Sequence, residues 1–392
     1  MTSEVKLIVF SLLSLVVAMA VAFVLTPVVK SFAQKVGAMD VPKDSRRMHK
    51  VPIPRLGGLA IFLGFMVSVI LFADINRQMQ GILMGAAVIV VLGVIDDIMP
   101  LPAWLKFIVQ ILAALIAVYY GVRIESISNP NVFSDQPYLV LGGWSIPITV
   151  LWIVLITNSV NLIDGLDGLA VGVSTICSLT MLAIAVMVSE PNVAIVVAAL
   201  AGGCIGFLPY NINPAKIFMG DTGATFLGFI LATLSVQGLF KFYAVVSFAV
   251  PFLILGLPIF DTVFAFIRRA VKGQNPMHAD RSHVHHRLID MGLSQKQAVA
   301  ILYVISAILG VCAVVLTTSG ELKAMLLLIT LCIFCAIGAT GYLTGCKPGS
   351  RKEKAAEQEA SAEEEKPAEE TPQETPQETQ PQQAEEEKHE ED

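Results

Sequence analysis

The sequence predicts an all-α polytopic membrane protein of about eleven transmembrane helices, with the N-terminus outside, the C-terminus cytoplasmic and a disordered acidic tail. Three observations carry that prediction. The chain is 55% hydrophobic and only 15% charged, with a mean hydropathy of +0.71 over 392 residues, far more apolar than a soluble core requires. The apolar residues fall in runs bounded by charges or turn residues, many long enough to cross a hydrocarbon layer of about 30 Å. The basic residues collect on alternate loops.

The first run, 7–29, is uncharged throughout, too long for a signal-peptide core, and is expected to stay in the mature protein. Further spans are expected at 56–73, 81–95, 104–121, 146–160, 169–189, 193–208, 223–240, 242–264, 298–318 and 322–345. The first loop carries Lys30, Lys35, Lys43, Arg46, Arg47, Lys50 and Arg55. The loop at 265–297 carries Arg268, Arg269, Lys272, Arg281, Arg287 and Lys296. Both are assigned to the cytoplasm by the positive-inside bias, which leaves Lys6, Arg77, Arg123, Lys241 and Lys323 on the other side.

The net charge of -6 misleads. Residues 351–392 hold 16 of the 32 acidic but only 5 of the 26 basic side chains, so the remainder carries 21 basic and 16 acidic groups, a net of +5. That Glu-, Pro- and Gln-rich stretch has no aromatic residue and too little apolar surface to offset its ordering entropy; 347–392 is read as a disordered cytoplasmic tail. The six cysteines lie in or beside apolar runs, unlike a secreted disulfide framework, and the CxxC of Cys332 and Cys335 is read as helix packing. Nothing in the charge pattern suits nucleic acid.

Polar clusters fall on every loop assigned to the cytoplasm, near 30–55, 96–103, 158–168, 209–222 and 265–297. Asp96 and Asp97 end the third apolar run, where two adjacent carboxylates repel and lose solvation. A lone acid there would be a solvated helix end; the pair points to function. Asn158, Asn161, Asp164 and Asp167 recur every three residues, a spacing that keeps them near one face of a helical turn, with Gly165 and Gly168 between. Such hard oxygen donors suit Mg²⁺, although Asn in a membrane helix often only joins helices. Asn213, Lys216 and Asp221 precede the next span. Asp221 or Thr222 would serve as a helix cap, which is compatible with metal binding, and Lys216 would meet a phosphate.

Arg281, His283, His285, His286 and Arg287 sit in the long basic loop. With no cysteine near and arginines interleaved, diphosphate binding is the better reading than zinc. Arg46, His49 and Lys50 lie in a Pro-rich loop ending in Gly57-Gly58. They set topology and are also placed to hold a lipid phosphate at the interface.

Four segments together, Val94-Ile-Asp-Asp97, Asn158-Ser-Val-Asn161-Leu-Ile-Asp164-Gly-Leu-Asp167-Gly168-Leu, Phe218-Met-Gly-Asp221-Thr-Gly and His283-Val-His285-His286-Arg287-Leu, resemble the polyprenyl-phosphate N-acetylhexosamine-1-phosphate transferases over roughly residues 5–345. The resemblance implies a transmembrane phospho-sugar transferase domain over 1–346 in a bacterial plasma membrane, with its active site on the cytoplasmic face. It implies Mg²⁺ on Asn161 and Asp221, with Mn²⁺ as a substitute. Asp96 and Asp97 match the pair that deprotonates or orients the acceptor phosphate, and Asp164 and Asp167 match catalytic or nucleotide-binding positions. Arg281, His283, His285, His286 and Arg287 match the segment that binds the donor sugar and diphosphate. Asn158, Asn213 and Lys216 are further expected substrate contacts.

The implied reaction takes N-acetylglucosamine-1-phosphate from UDP-N-acetylglucosamine to undecaprenyl phosphate and releases UMP, at the start of a teichoic acid linkage unit, an O-antigen or a similar envelope polysaccharide. The His-Val-His-His-Arg-Leu form resembles the N-acetylglucosamine branch; the branch that takes UDP-N-acetylmuramoyl-pentapeptide usually has Pro-His-His-His where this chain has Arg281-Ser-His283. That branch is the first alternative. A lipid-phosphate or nucleotide-sugar transporter is the second, disfavoured because only Asp261 is a mid-span ionisable candidate, and a scaffold built on the acidic tail is the third. A homodimer is compatible with all of these.

Overall fold

The computed structural model describes residues 3–42, 51–128, 138–239, 249–271, 283–319 and 329. Apart from residue 329, the eleventh expected span lies outside the described residues, as do the acidic tail and Arg46, His49, Lys50 and Arg281. The described residues form a helical bundle: α1 (Ser3–Lys35), α2 (Gly58–Phe72), α3 (Arg77–Ile98), α4 (Ala103–Tyr119), α5 (Ser145–Leu162), α6 (Leu169–Met187), α7 (Pro191–Asn211), α8 (Gly220–Leu234), α9 (Ala249–Ile254), α10 (Gly256–Val271), α11 (Val284–Asp290) and α12 (Gln295–Ser319). Among the described residues six segments are long and apolar enough to cross a membrane: α1, α3, Gly142–Leu162, α6, α7 and Gln295–Thr318. α2 and α4 are shorter apolar helices. This is a multi-pass membrane protein.

The first helix is built inside out relative to a helix of a soluble bundle. On α1 the large residues Ile8, Leu12, Phe23, Val24 and Val28 face outward, whereas the buried stripe is mostly small, Ser11, Ser14, Ala18, Ala22, Thr26 and Ala33, with Leu7 and Val29. Lipid is as apolar as leucine, so helices associate through close packing and hydrogen bonds rather than hydrophobic burial, and small residues let backbones meet. Gly202 and Gly206 on α7 show the consequence. A Cβ at either would lie 2.1 or 2.2 Å from the carbonyl oxygens of Leu15 and Met19 on α1. Ser14 joins the same contact through Ser68 of α2 at 2.8 Å and the Ile195 carbonyl at 2.8 Å.

α8 is apolar all round, buried from Thr222 to Leu234, and packed among α2, α3, α5, α6 and α7. It is the hub of the bundle, and its N-terminus enters the site described below.

Two short antiparallel pairs depart from the expected all-α chain. Met39–Asp40 (β1) pairs with Ile53–Pro54 (β2) in the first loop, and Ser126–Ser128 (β3) pairs with Tyr138–Val140 (β4) in the loop between α4 and α5. The expected span 242–264 is also corrected. The described part is two pieces broken near Gly256 and Pro258, and α10 runs on to Val271 with Arg268 and Arg269 in its last turn. Nothing between 264 and 271 breaks a helix, so the long basic loop starts later than 265.

Candidate active site

The first loop, the C-terminal ends of α5 and α7 with the segments that follow them, the N-termini of α8 and α12, and helix α11 surround one cavity of about 540 Å³. Asn161, Asp164, Asp167, Asn213, Asp221 and His286 line it, together with Arg55, Asp40, Phe218 and Gln295. Four separate polar segments of the sequence therefore meet at one cavity.

Each polar side chain has a structural reason for its place. α5 ends at Leu162, so Asp164 and Asp167 lie on a turn rather than continuing one helical face with Asn158 and Asn161. Gly168, at φ +78°, starts α6 in a left-handed conformation suited to glycine, and its amide donates to Asn211 Oδ1 at 3.1 Å. Asp167 Oδ2 accepts from Asn213 Nδ2 at 2.9 Å and the Ala215 amide at 3.0 Å, while Asn213 Nδ2 also donates to Gln295 Oε1 at 2.7 Å. This carboxylate ties the α5–α6 turn to the α7–α8 loop.

Asp97 is bound to the start of α8. Its Oδ1 accepts from the Asp221 amide at 3.0 Å, and its Oδ2 accepts from the Thr222 amide at 3.0 Å and from Thr222 Oγ1 at 2.7 Å. These are the free amides of the first turn of α8, so the helix is capped by a carboxylate from α3 rather than by Asp221 or Thr222. Arg55 completes the set, with Nε 3.0 Å and Nη2 2.9 Å from Asp97 Oδ1 and Nη2 3.9 Å from Asp221 Oδ1. The Asp97 side chain is fully enclosed and is not itself part of the cavity lining, though it touches Arg55 and Asp221, which are.

Asp96 accepts from the Leu101 amide at 2.7 Å and from Lys106 Nζ at 3.1 Å; the same ammonium lies 2.9 Å from Asp221 Oδ2. Asn161 Nδ2 donates to Asp221 Oδ1 at 3.3 Å. Asp221 thus sits among Lys106, Arg55 and Asn161 at the mouth of α8. Asp164 contrasts with it: among the described residues no hydrogen-bond partner meets its carboxylate. Burial, then the negative charges of Asp221 and Asp97, push its pKa up to about 7.

Several expected site residues lie elsewhere. Asn158 donates to Gln110 on α4 at 2.6 Å and to its own helix at Val154, acting as interhelical glue. Lys216 is exposed and outside the cavity lining. Arg287 rests over the Phe264 ring at 5.5 Å, and His283 is bound to Asp261; among the described histidines only His286 lines the cavity. His285 is buried behind it against Gly165, and burial, with His286 beside it, lowers its pKa to about 4. Lys106, Arg55, Gln110 and Gln295 were not among the expected site residues. A lone lysine inside the apolar run 104–121 is a readable signal for Lys106. Arg55 was counted as a topology-setting charge, and Gln295 carries no local signal.

A membrane bundle whose loops converge carboxylates, amides, a histidine and an arginine on one cavity is a polytopic membrane enzyme. The family model described as glycosyl transferase family 4 matches residues 79–239. A Bacillus subtilis protein named "Probable undecaprenyl-phosphate N-acetylglucosaminyl 1-phosphate transferase" is 41% identical over 323 residues, 82% of this chain and 89% of the relative. A Mycobacterium tuberculosis "Decaprenyl-phosphate N-acetylglucosaminephosphotransferase" is 33% identical over 72% of this chain and 76% of its own length. A Thermotoga maritima "Undecaprenyl-phosphate alpha-N-acetylglucosaminyl 1-phosphate transferase" is 33% identical over 68% and 78%. The chain belongs to glycosyl transferase family 4 and is a sugar-phosphate transferase.

Proposed function

We propose that the enzyme transfers N-acetylglucosamine-1-phosphate from UDP-N-acetylglucosamine to undecaprenyl phosphate, with release of UMP, at the cytoplasmic face of the plasma membrane. The names of the Bacillus and Thermotoga relatives support the acceptor and the transferred group. The basic residues of the first loop and of the segment after residue 264 support the cytoplasmic assignment through the positive-inside bias, and Arg55 of that first loop lines the cavity. The product would be the first lipid-linked intermediate of a cell-envelope polysaccharide.

The observation that carries the reading is one cavity in which an unpaired carboxylate, Asp164, faces the same space as Asn161, Asp221, Arg55 and His286. Two anions must be brought together there, and most of phosphoryl-transfer catalysis is positioning and charge neutralisation. The donor set fits a hard divalent cation: Asn161 and Asp221 offer oxygen ligands beside open space. Among the described residues no three His, Cys, Asp or Glu side chains form a cage by themselves, which suits an ion that keeps waters and phosphate oxygens. Mg²⁺ held by Asn161 and Asp221 would supply charge neutralisation at the donor diphosphate.

Around that point the chain's own groups divide the work. An acceptor phosphate oxygen attacks the sugar-bearing phosphorus of the donor, that phosphorus parts from the bridging oxygen, and UMP leaves with the bond's electrons. A phosphate monoester has its second pKa near 6, so the acceptor is largely dianionic at neutral pH, and Asp164 takes the residual proton. Arg55 and Lys106 balance the accumulated charge, His286 contacts the donor, and Asp97 keeps α8 and Arg55 in register. Direct displacement needs no aspartyl-phosphate; a phospho-sugar trapped on the protein and lost in Asp97→Asn would overturn it.

The deciding experiment is UMP release by detergent-purified protein given Mg²⁺, undecaprenyl phosphate and one of two donors. Release with UDP-N-acetylglucosamine, lost in Asp221→Ala, is expected. Release only with UDP-N-acetylmuramoyl-pentapeptide would move the enzyme to the other branch, and release with neither would restore the transporter reading.

A further inference from the structure

Asp261 lies outside the cavity, yet the histidine helix hangs from it. The residue is buried in α10, with 3% of its surface exposed. Its Oδ2 accepts a hydrogen bond from His283 Nδ1 at 2.9 Å, and its Oδ1 accepts one from the Val284 amide at 2.8 Å. A carboxylate only accepts, so the proton sits on Nδ1. One side chain therefore holds both a ring and the backbone at the start of α11.

From there the contacts run inward without a gap. The His283 and His285 rings are parallel to within 6°, with centroids 5.7 Å apart, and His285 meets His286 at 4.3 Å. His285 lies so close to the α5–α6 turn that a Cβ at Gly165 would come within 2.3 Å of its Nε2. Gly165 and His286 both line the cavity. The residual space behind the layer, bordered by Ile163, Leu169, Leu257 and Leu302, is about 10 Å³, about the volume one water needs. The layer is packed, so a shift of α11 must be felt at Gly165.

We infer that Asp261 is a positioning residue for the donor side of the cavity: by anchoring His283 and Val284 to α10 it fixes the separation between His286 and the Asp164–Asp167 turn. This rests on the reading that the turn and His286 meet the nucleotide-sugar. Asp261 touches neither substrate; it acts through α11.

Asp261→Asn keeps the size and the acceptor for Val284 but puts an amide or a neutral oxygen against the His283 N–H. The KM for UDP-N-acetylglucosamine is expected to rise about tenfold, with kcat and the KM for undecaprenyl phosphate within about threefold of wild type. His283→Ala should give a similar rise, and the double variant no more than either single change, because both cut one link. A fully additive double variant, or a rise shared by the acceptor, would overturn the inference. Hydrogen exchange on the substrate-free protein gives an arm that needs no turnover. Asp261→Asn should speed exchange in 283–290 and 163–168 and leave 92–98 and 218–224 unchanged. Unaltered exchange at 163–168 would refute the positioning role even in an active enzyme. The expected exchange pattern in a protein that releases no UMP would count against the transferase reading alone.

Discussion

Asp97 and Asp164 are two carboxylates of one site with opposite circumstances. Asp97 is saturated: two amides, a hydroxyl and a guanidinium take its oxygens. Asp164 has no such partners and is held between ionised and neutral at about pH 7 by burial and by Asp221 and Asp97. The sign of the pH effect follows. With its pKa raised from 3.8, Asp164 favours the folded protein most when protonated. That contribution is full below pH 4 and is lost as pH rises through 7. Substrate-free Asp164→Asn should therefore melt higher than wild type at pH 8 and show no difference in slope near pH 4. Its turnover should fall by two orders of magnitude or so, as expected for loss of a proton-accepting group. The wild-type kcat/KM should climb through pH 7. A thermal-melt series from pH 4 to 9 and a pH–rate profile check both limbs; a flat wild-type profile across pH 7 would remove Asp164 from the proton transfer.

At the scale of elements, the site depends on how closely α2, α3 and α8 approach. A Cβ at Gly93 would lie 2.4 Å from Thr222 Cα, and one at Gly58 would lie 2.1 Å from Gly223 Cα. Those contacts are backbone, with no flexible side chain to give way. The approach lets Asp97 of α3 reach the α8 amides, and the first loop lies on the same segment through Gly57 N to Phe218 O at 2.9 Å and Gly58 N to Met219 O at 2.9 Å. Gly93→Ala should thus cost about 1–3 kcal/mol of stability and displace Asp97 from the α8 terminus. Activity should fall together with the melting temperature, measured by UMP release and a thiol-reactive unfolding assay. Retained activity with an unchanged melting temperature would mean that the helices can part without harm. The α5–α6 turn illustrates what a periodic pattern leaves undecided. The three-residue recurrence from Asn158 to Asp167 was legible, but α5 stops at Leu162, so the first Asn serves helix packing while the two Asp residues enter the cavity.

For the whole molecule, the described residues that line the cavity all fall between Asp40 and Gln295. Deleting 351–392 should leave UMP release within about twofold of the full chain, since a segment of that composition has no packed surface to lose. Loss of turnover from a truncated protein that still melts cooperatively would bring back the scaffold reading. The same scale separates sequence from structure. Composition, apolar runs and motif order were enough for the membrane class, the family and six of the ten polar residues that line the cavity. Hydropathy is set by the lipid solvent, and the polar groups of such a chain stand out against it. Roles within the cluster were decided by tertiary structure alone. Whether a carboxylate is a free acid or a helix cap depends on which amides and cations lie within about 3 Å. Those partners, Thr222 for Asp97, Lys106 for Asp221, Asp261 for His283, come from helices 22 to 125 residues away in the chain. Local pattern sets which helices form and which face lipid; only their packing determines which oxygen is left for chemistry.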